Sequence, residues 1–452
     1  MSINPADSEI FGALYGSAEM RGLFSDRARL QAMLDVEAAL ARVEARLGII
    51  PAEAAKAITA AATVDRLALD EIAASTRVVG YPVVGLVKAL GRAAGGDAAR
   101  YVHWGATTQD ILDTALVLQI RKGLDLIRDD LVRTARALVA KAQAHRGELM
   151  AGRTHLQHAL PVTFGYKCAV WAAPLLDDLE RLDALRARVL KVQFGGAVGS
   201  LASLGDKGRA VAEGLAQELG LATPDAPWHV SRGALAETVC ALGIVCGNLA
   251  KFATDIILLM QTEVGEVFEP HQVGRGGSST MPQKRNPIAS EYVIASARGV
   301  QALVPLMLSA MADDHERGTG PWQSEPLALP QSFVLTSGAL THAAVMAEGM
   351  TVDAERMRHN LDSTNGLILA EAVMIAAARA VGRAKAHDIV EHACSRAIEQ
   401  HHHLADVLKD DPELMNHMKP DEIDRLLDPA GYVGECREIV DRVVDRGRKV
   451  LR

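Results

Sequence analysis

Apolar residues recur every three or four positions along most of this chain, the spacing of one face of an α-helix. Between residues 231 and 269, Leu235, Val239, Leu242, Cys246, Leu249, Phe252, Ile256 and Leu259 keep this step, and no proline interrupts them. Read as one helix, the stretch is roughly 60 Å long at 1.5 Å per residue. Such a helix cannot bury its faces in one small domain, so the pattern predicts a long bundle shared between subunits. Shorter stripes predict helices over 27–47 (Leu30, Leu34, Ala38, Ala41, Ala45), from Pro51, over 110–144, from Pro161 over 162–191 (Leu175, Leu179, Leu182, Leu185), over 288–312 and over 327–349. Alternating valine, isoleucine and threonine runs bounded by turns are absent, so the predicted class is all-α. The expected organisation is three helical domains: 1–109, a central long-helix bundle over 110–350, and a smaller one over 351–452.

Composition narrows the partners. The chain has 452 residues, 49% hydrophobic but only 4% aromatic, which suits an aliphatic helical core. A formal charge of −8 argues against nucleic acid. An anionic substrate must therefore be held by a local cationic pocket. The five cysteines are scattered without a CxxC pair, so neither disulfides nor zinc is indicated, and reduced thiols fit a cytoplasmic protein. The start has no signal-peptide pattern, and no segment reads as an uninterrupted transmembrane span, so no membrane partner is expected. The run His401, His402, His403 lacks a spaced carboxylate or cysteine partner and reads as solvated surface. No metal and no cofactor are expected. The Gly/Ser stretch at 194–207 reads as a linker, and without a GxGxxG after a strand it gives no nucleotide site.

One stretch concentrates chemistry. Residues 274–291 read GRGGSSTMPQKRNPIASE, with Gly274, Gly276 and Gly277 ahead of Ser278 and Ser279, then Met281, Lys284, Arg285 and Asn286. Between Gln272 and Ser290 stand three cations and no acid. A loop with hydroxyls and uncompensated positive charge is suited to close on an anion, although a polar surface loop is the plainer reading of a Gly-Ser stretch alone. Two other clusters stand out. In YVHWGATTQDILDT, Thr107 or Thr108 can cap a helix beginning near Asp110, and His103 joins them where an anion is welcome. In AGRTHLQHALP, His155, Gln157 and His158 crowd a junction, and Arg317 and His315 lie in DDHERGTGPWQSEP.

The spacing GSSxMPxKxNP resembles the active-site loop of the fumarase/aspartase superfamily, which includes fumarase, aspartase, argininosuccinate and adenylosuccinate lyases and 3-carboxy-cis,cis-muconate cycloisomerases. HWGATTQD and GRTHLQHALP resemble its other two shared regions, with Thr108 where the family often has serine. FGALYGSAEM, QFGGAVGSLASLGD, LLMQTEVGEVFEP, HERGTGPW and AEGMTVDAERMRHNLDST resemble the bacterial cycloisomerase branch over nearly the whole length. That resemblance implies lactonisation of 3-carboxy-cis,cis-muconate to γ-carboxymuconolactone in aromatic degradation through the protocatechuate branch of the β-ketoadipate pathway. It implies Ser278 as catalytic base and His155 as acid or binder. Substrate contacts are implied for His103, Thr107, Thr108, Gln157, His158, Ser279, Met281, Lys284, Asn286 and Arg317. It further implies a homotetramer whose sites combine segments from different subunits. Cycloisomerases often carry tryptophan at the position of His155, whereas lyases carry histidine as here; the alternative expectation is therefore a fumarate-releasing lyase of the adenylosuccinate or argininosuccinate type.

Overall fold

A computed structural model describes residues 4–270, 276–277, 280–281 and 283–451. The class is all-α, as the periodicity requires. The elements that position the site are α1 (Asp26–Arg46), α2 (Thr108–Ala144), β1 (Leu149–Thr154), β2 (Gln157–Thr163), α3 (Phe164–Val189), α4 (Gly233–Met260), β3 (Val267–Phe268), α5 (Ile288–Ser309), α6 (Glu325–Gly349) and β4 (Thr351–Val352). The chain divides into two compact units, Met1–Leu131 with Asp178–Leu249 and Tyr292–Thr341, and Val132–Asp177 with Ala250–Glu291 and His342–Arg452. Each of the five long helices contributes a segment to both.

In the first unit, α1 packs on the helices Ala52–Ala61 and Gly208–Leu219. Leu34, Val36, Ile58, Leu86, Leu90 and Ile111 are sealed in one aliphatic cluster. Arg232 is fully buried and completes its donor fork with Asp113 (2.7 and 2.9 Å) and Glu325 (Oε1 at 2.7 Å). Its guanidinium also lies 4.9 Å from the Trp228 ring. A buried cation survives only when its donors are met in this way.

In the second unit, the β1–β2 hairpin packs against the helix Ala354–Asp362. Ala151, Leu361, Leu369, Val373, Leu404, Leu408 and Ile423 form its apolar core. Arg133 holds Glu348 through two 2.6 Å bonds, and Arg146 holds Asp441 at 2.6 and 2.7 Å.

Three sequence expectations change. The long periodic stretch is helical only to Met260, about 42 Å at the standard rise. Every stripe residue from Leu235 to Leu259 is buried, but the chain beyond them turns at Gly265 (φ 61), where the left-handed backbone suits glycine. Pro161 does not open a helix. It lies in β2 opposite Ala151, and the helix starts at Phe164 with the Thr163 hydroxyl accepting from the Tyr166 N–H at 3.1 Å. Lastly, α4 and α5 are long and apolar enough to cross a membrane, contrary to the expectation from the sequence. Their apolarity has a packing reason in α4, whose stripe fills the interior; α5 is less enclosed, and its exposed positions mix Glu291, Arg298 and Gln301 with Ala302, Pro305 and Leu308.

Candidate active site

The N-terminus of α2 is built around Asp110, a fully buried carboxylate. Its Oδ2 accepts from the N–H groups of Thr107 and Gly196, and its Oδ1 from the Gly195 N–H, each at 2.9 Å. Oδ1 also lies 2.7 Å from His229 Nε2. The Thr107–Asp110 contact is one half of a capping box, an acid at the third helical position reaching back to the cap. The same carboxylate pins the stretch 194–207 to the helix start, so the presumed linker is a structural part of this corner. Gln109 bridges to the His229 carbonyl (2.8 Å) and accepts from Arg317 Nη1 (2.7 Å), while Arg317 Nη2 donates to the Ala197 carbonyl (2.8 Å).

His103 precedes the helix with φ 63. Its Nδ1 lies 2.6 Å from Glu37 Oε1 on α1. Burial opposes a charge on the imidazole, but the charge and hydrogen bond of Glu37, helped by Asp110, prevail and raise its pKa above the ordinary value. One unit thus brings together His103, Thr107, Thr108 and Arg317. The helix start, the two threonine hydroxyls, His103 and Arg317 thus belong to one corner of this unit, and a helix start of this kind is suited to a carboxylate.

In the other unit, Thr154 pairs with Gln157 in the hairpin, and His155 and Leu156 form its two-residue turn at φ 49 and 62. Two positive φ values are the geometry such turns require, usually met by Asn-Gly. Here a β-carbon at each position opposes it, at a cost of order 1–2 kcal/mol per residue. The tip is exposed: Leu156 is 70% accessible, and His155 and Gln157 are exposed beside it. Below it, Arg153 grips the fully buried Glu266 through 2.9 and 2.7 Å bonds, and Asn360 adds a third at 2.8 Å. Burial and the Arg153 charge, against Glu266, lower the pKa of His158, which pairs with Arg153 in the ladder.

The loop 270–287 is tied at its base. The buried Glu269 carboxylate accepts from Ala289 N–H (3.1 Å), Ser290 N–H (2.8 Å) and Ser290 Oγ (2.7 Å), capping α5. Arg285 donates to the Glu269 carbonyl at 3.0 Å and stacks 5.3 Å from the Phe268 ring. Asn286 N–H donates to the Gly276 carbonyl at 3.0 Å, and a β-carbon at Gly276 would stand 2.6 Å from the Asn286 carbonyl oxygen, so only glycine fits. Lys284 and Met281 are exposed, and Asn286 is half-buried. Ser278 and Ser279, with Gly274, Arg275 and Pro282, lie outside the described residues.

Glu37, Asp110 and His229 were not singled out from sequence. The T-x-x-D spacing of a capping box was a usable signal for Asp110; nothing local marks Glu37 or His229. The histidine run resolves into cap positions: His401 ends the helix Arg383–Gln400 with φ 56, and His403 Nδ1 accepts from the Ala405 N–H. Among the described residues one cluster, His387, Asp388 and Glu391, brings possible ligand atoms within 4.8 Å on an exposed helix face.

Comparison with known proteins places this architecture. Residues 15–302 match the family model described as Lyase, and residues 366–443 match Adenylosuccinate lyase C-terminus. A 3-carboxy-cis,cis-muconate cycloisomerase of Pseudomonas aeruginosa is 51% identical over 450 residues, 98% of this chain and 97% of that protein. The crystal structure of the 3-carboxy-cis,cis-muconate lactonizing enzyme from Pseudomonas putida superposes with a TM-score of 0.94 at 48% identity, covering 98% of this chain and all of that one. Trans-aconitate decarboxylase 1 of Mycosarcoma maydis is 43% identical, over 96% of this chain and 88% of that protein. The chain belongs to the fumarase/aspartase superfamily of lyases.

Proposed function

We propose that the protein is a 3-carboxy-cis,cis-muconate cycloisomerase that forms γ-carboxymuconolactone. The observation that carries the reading is the likeness to cycloisomerases along the entire chain, at 51% identity with one of them. In the lactonising direction a substrate carboxylate adds across a double bond, and the carbon α to another carboxylate takes up a proton. Ser278 gives that proton and, in the reverse direction, removes it. A proton α to a carboxylate is weakly acidic, so the aci-carboxylate between the steps needs preorganised donors and cations. Lys284, Asn286, Ser279 and Met281 from the loop, with His103, Thr107, Thr108 and Arg317, are assigned to the carboxylates. Gln157, His158 and His155 at the hairpin are assigned to substrate binding.

The working form is a homotetramer with sites assembled from several subunits, and the three-domain division 1–109, 110–350 and 351–452 is retained within it. Membership of the superfamily supports this assembly. A cytoplasmic location follows from this role. The test is product identity: purified protein incubated with 3-carboxy-cis,cis-muconate yields the lactone, read by NMR. Unchanged triacid, alongside fumarate release from a succinylated amine, supports instead the lyase reading that His155 favours.

A further inference from the structure

The Glu37–His103 contact joins elements 66 residues apart in sequence. Side-chain exposure is 1% for Glu37 and 19% for His103. An ionised carboxylate so enclosed is costly unless a cation or hydrogen bonds compensate it. Among the described residues, its second oxygen, Oε2, has no hydrogen-bond partner, so compensation falls on His103 alone. Two turns along the same face of α1 lies Glu44, fully buried, with both oxygens likewise unpartnered. Two enclosed carboxyls cannot both ionise beside one cation. Glu44 is the one kept as the neutral acid, its pKa pushed up to about 9 by burial and by Glu37. The groups facing His103 are therefore Glu37 from α1 and Asp110 from α2, the latter shared with His229. With Nδ1 engaged by Glu37, Nε2 is the ring nitrogen left for a ligand.

We propose that Glu37 is a positioning residue for catalysis: it accepts from His103 Nδ1–H and fixes the ring so that Nε2 is presented to a substrate carboxylate beside Thr107 and Thr108. This rests on the reading that His103 and the two threonines bind substrate. The backbone supports it independently, because His103 holds a left-handed φ that a histidine adopts only when its surroundings fix it.

The test uses the full-length enzyme and has two arms. Without substrate, the pH dependence of diethyl pyrocarbonate labelling at His103, read by peptide mass spectrometry, reports the neutral imidazole. In Glu37→Gln the half-labelling pH falls by about one unit or more, the scale set by a lost adjacent opposite charge. Glu37→Asp, which retains the charge one methylene further back, gives an intermediate curve. A wild-type curve in both variants, with melting temperatures unchanged, overturns the proposal.

The second arm is kinetic. In Glu37→Gln the KM for 3-carboxy-cis,cis-muconate rises about tenfold at pH 8 and less at pH 6, with kcat nearly unchanged, as loss of a charge-assisted hydrogen bond predicts. A shifted labelling curve with KM unaltered at both pH values also overturns the proposal, by placing the carboxylate away from His103. The labelling arm reads out even if the substrate is a different one.

Discussion

At the scale of the residue, the proposed reaction gives proton transfer and carboxylate binding to different side chains. Serine is a weak base and acts only where donors and cations stabilise its alkoxide. Ser278→Ala is expected to lower kcat by at least about 10³-fold, since a positioned proton-transfer group contributes on that order. Its melting temperature should stay near wild type, and a variant retaining most activity removes the serine from its role. His155 is expected to behave differently. The group that attacks or leaves in a cycloisomerase is a carboxylate, whose pKa near 4 makes a proton unnecessary. His155→Gln should therefore raise KM and lower kcat far less than Ser278→Ala does. Equal losses in kcat with KM unchanged make His155 a required proton donor and favour a lyase.

Which site residues were legible follows from chemistry of the same scale. His103, Thr107, Thr108 and the residues of the 274–291 loop announce themselves because hydroxyls and cations cluster in short segments. Glu37 and His229 do not, because their partners lie 66 and 119 residues away and only folding joins them.

At the scale of the element, caps and buried carboxyls decide stability. Glu269 accepts three hydrogen bonds at the start of α5 and anchors the base of the loop. Glu269→Ala leaves buried donors unmet and should cost roughly 2–3 kcal/mol, with Glu269→Gln costing less. Denaturant melts distinguish the two, and an unchanged midpoint for Glu269→Ala removes the anchor. On α1, the raised pKa of Glu44 makes stability depend on pH. Its folded value lies above its unfolded value, so its contribution is fully present below about pH 4.5 and is lost as pH rises towards 9. By pH 7 the loss is roughly 3 kcal/mol. Glu44→Gln should flatten the fall in melting temperature between pH 5 and 9, and a parallel curve in the variant places the titration elsewhere.

Helices were legible at this scale wherever an apolar stripe continued, as from Leu235 to Leu259. The end of α4 was not, because residues 261–266 turn through hydrogen bonds to the carbonyls of Gln261 and Leu259 that no apolar period encodes. The hairpin was hidden for a similar reason: His155 and Leu156 occupy turn positions where Asn-Gly is the usual sign.

At the scale of the whole molecule, a 42 Å helix asks less of its neighbours than the roughly 60 Å one expected from sequence. The case for assembly now rests on family membership. Light scattering of the active enzyme should give four times the mass of one chain, 48.2 kDa. A fully active monomer contradicts both the shared bundle and the shared site.

The most direct measurement is kcat/KM of the purified enzyme on 3-carboxy-cis,cis-muconate, trans-aconitate and a fumarate-releasing succinyl substrate under one set of conditions. A cycloisomerase prefers the muconate by at least about 10³-fold, roughly 4 kcal/mol of differential transition-state binding, with lactone as the product. Preferential turnover of either other substrate, or no lactone from the muconate, contradicts the cycloisomerase reading.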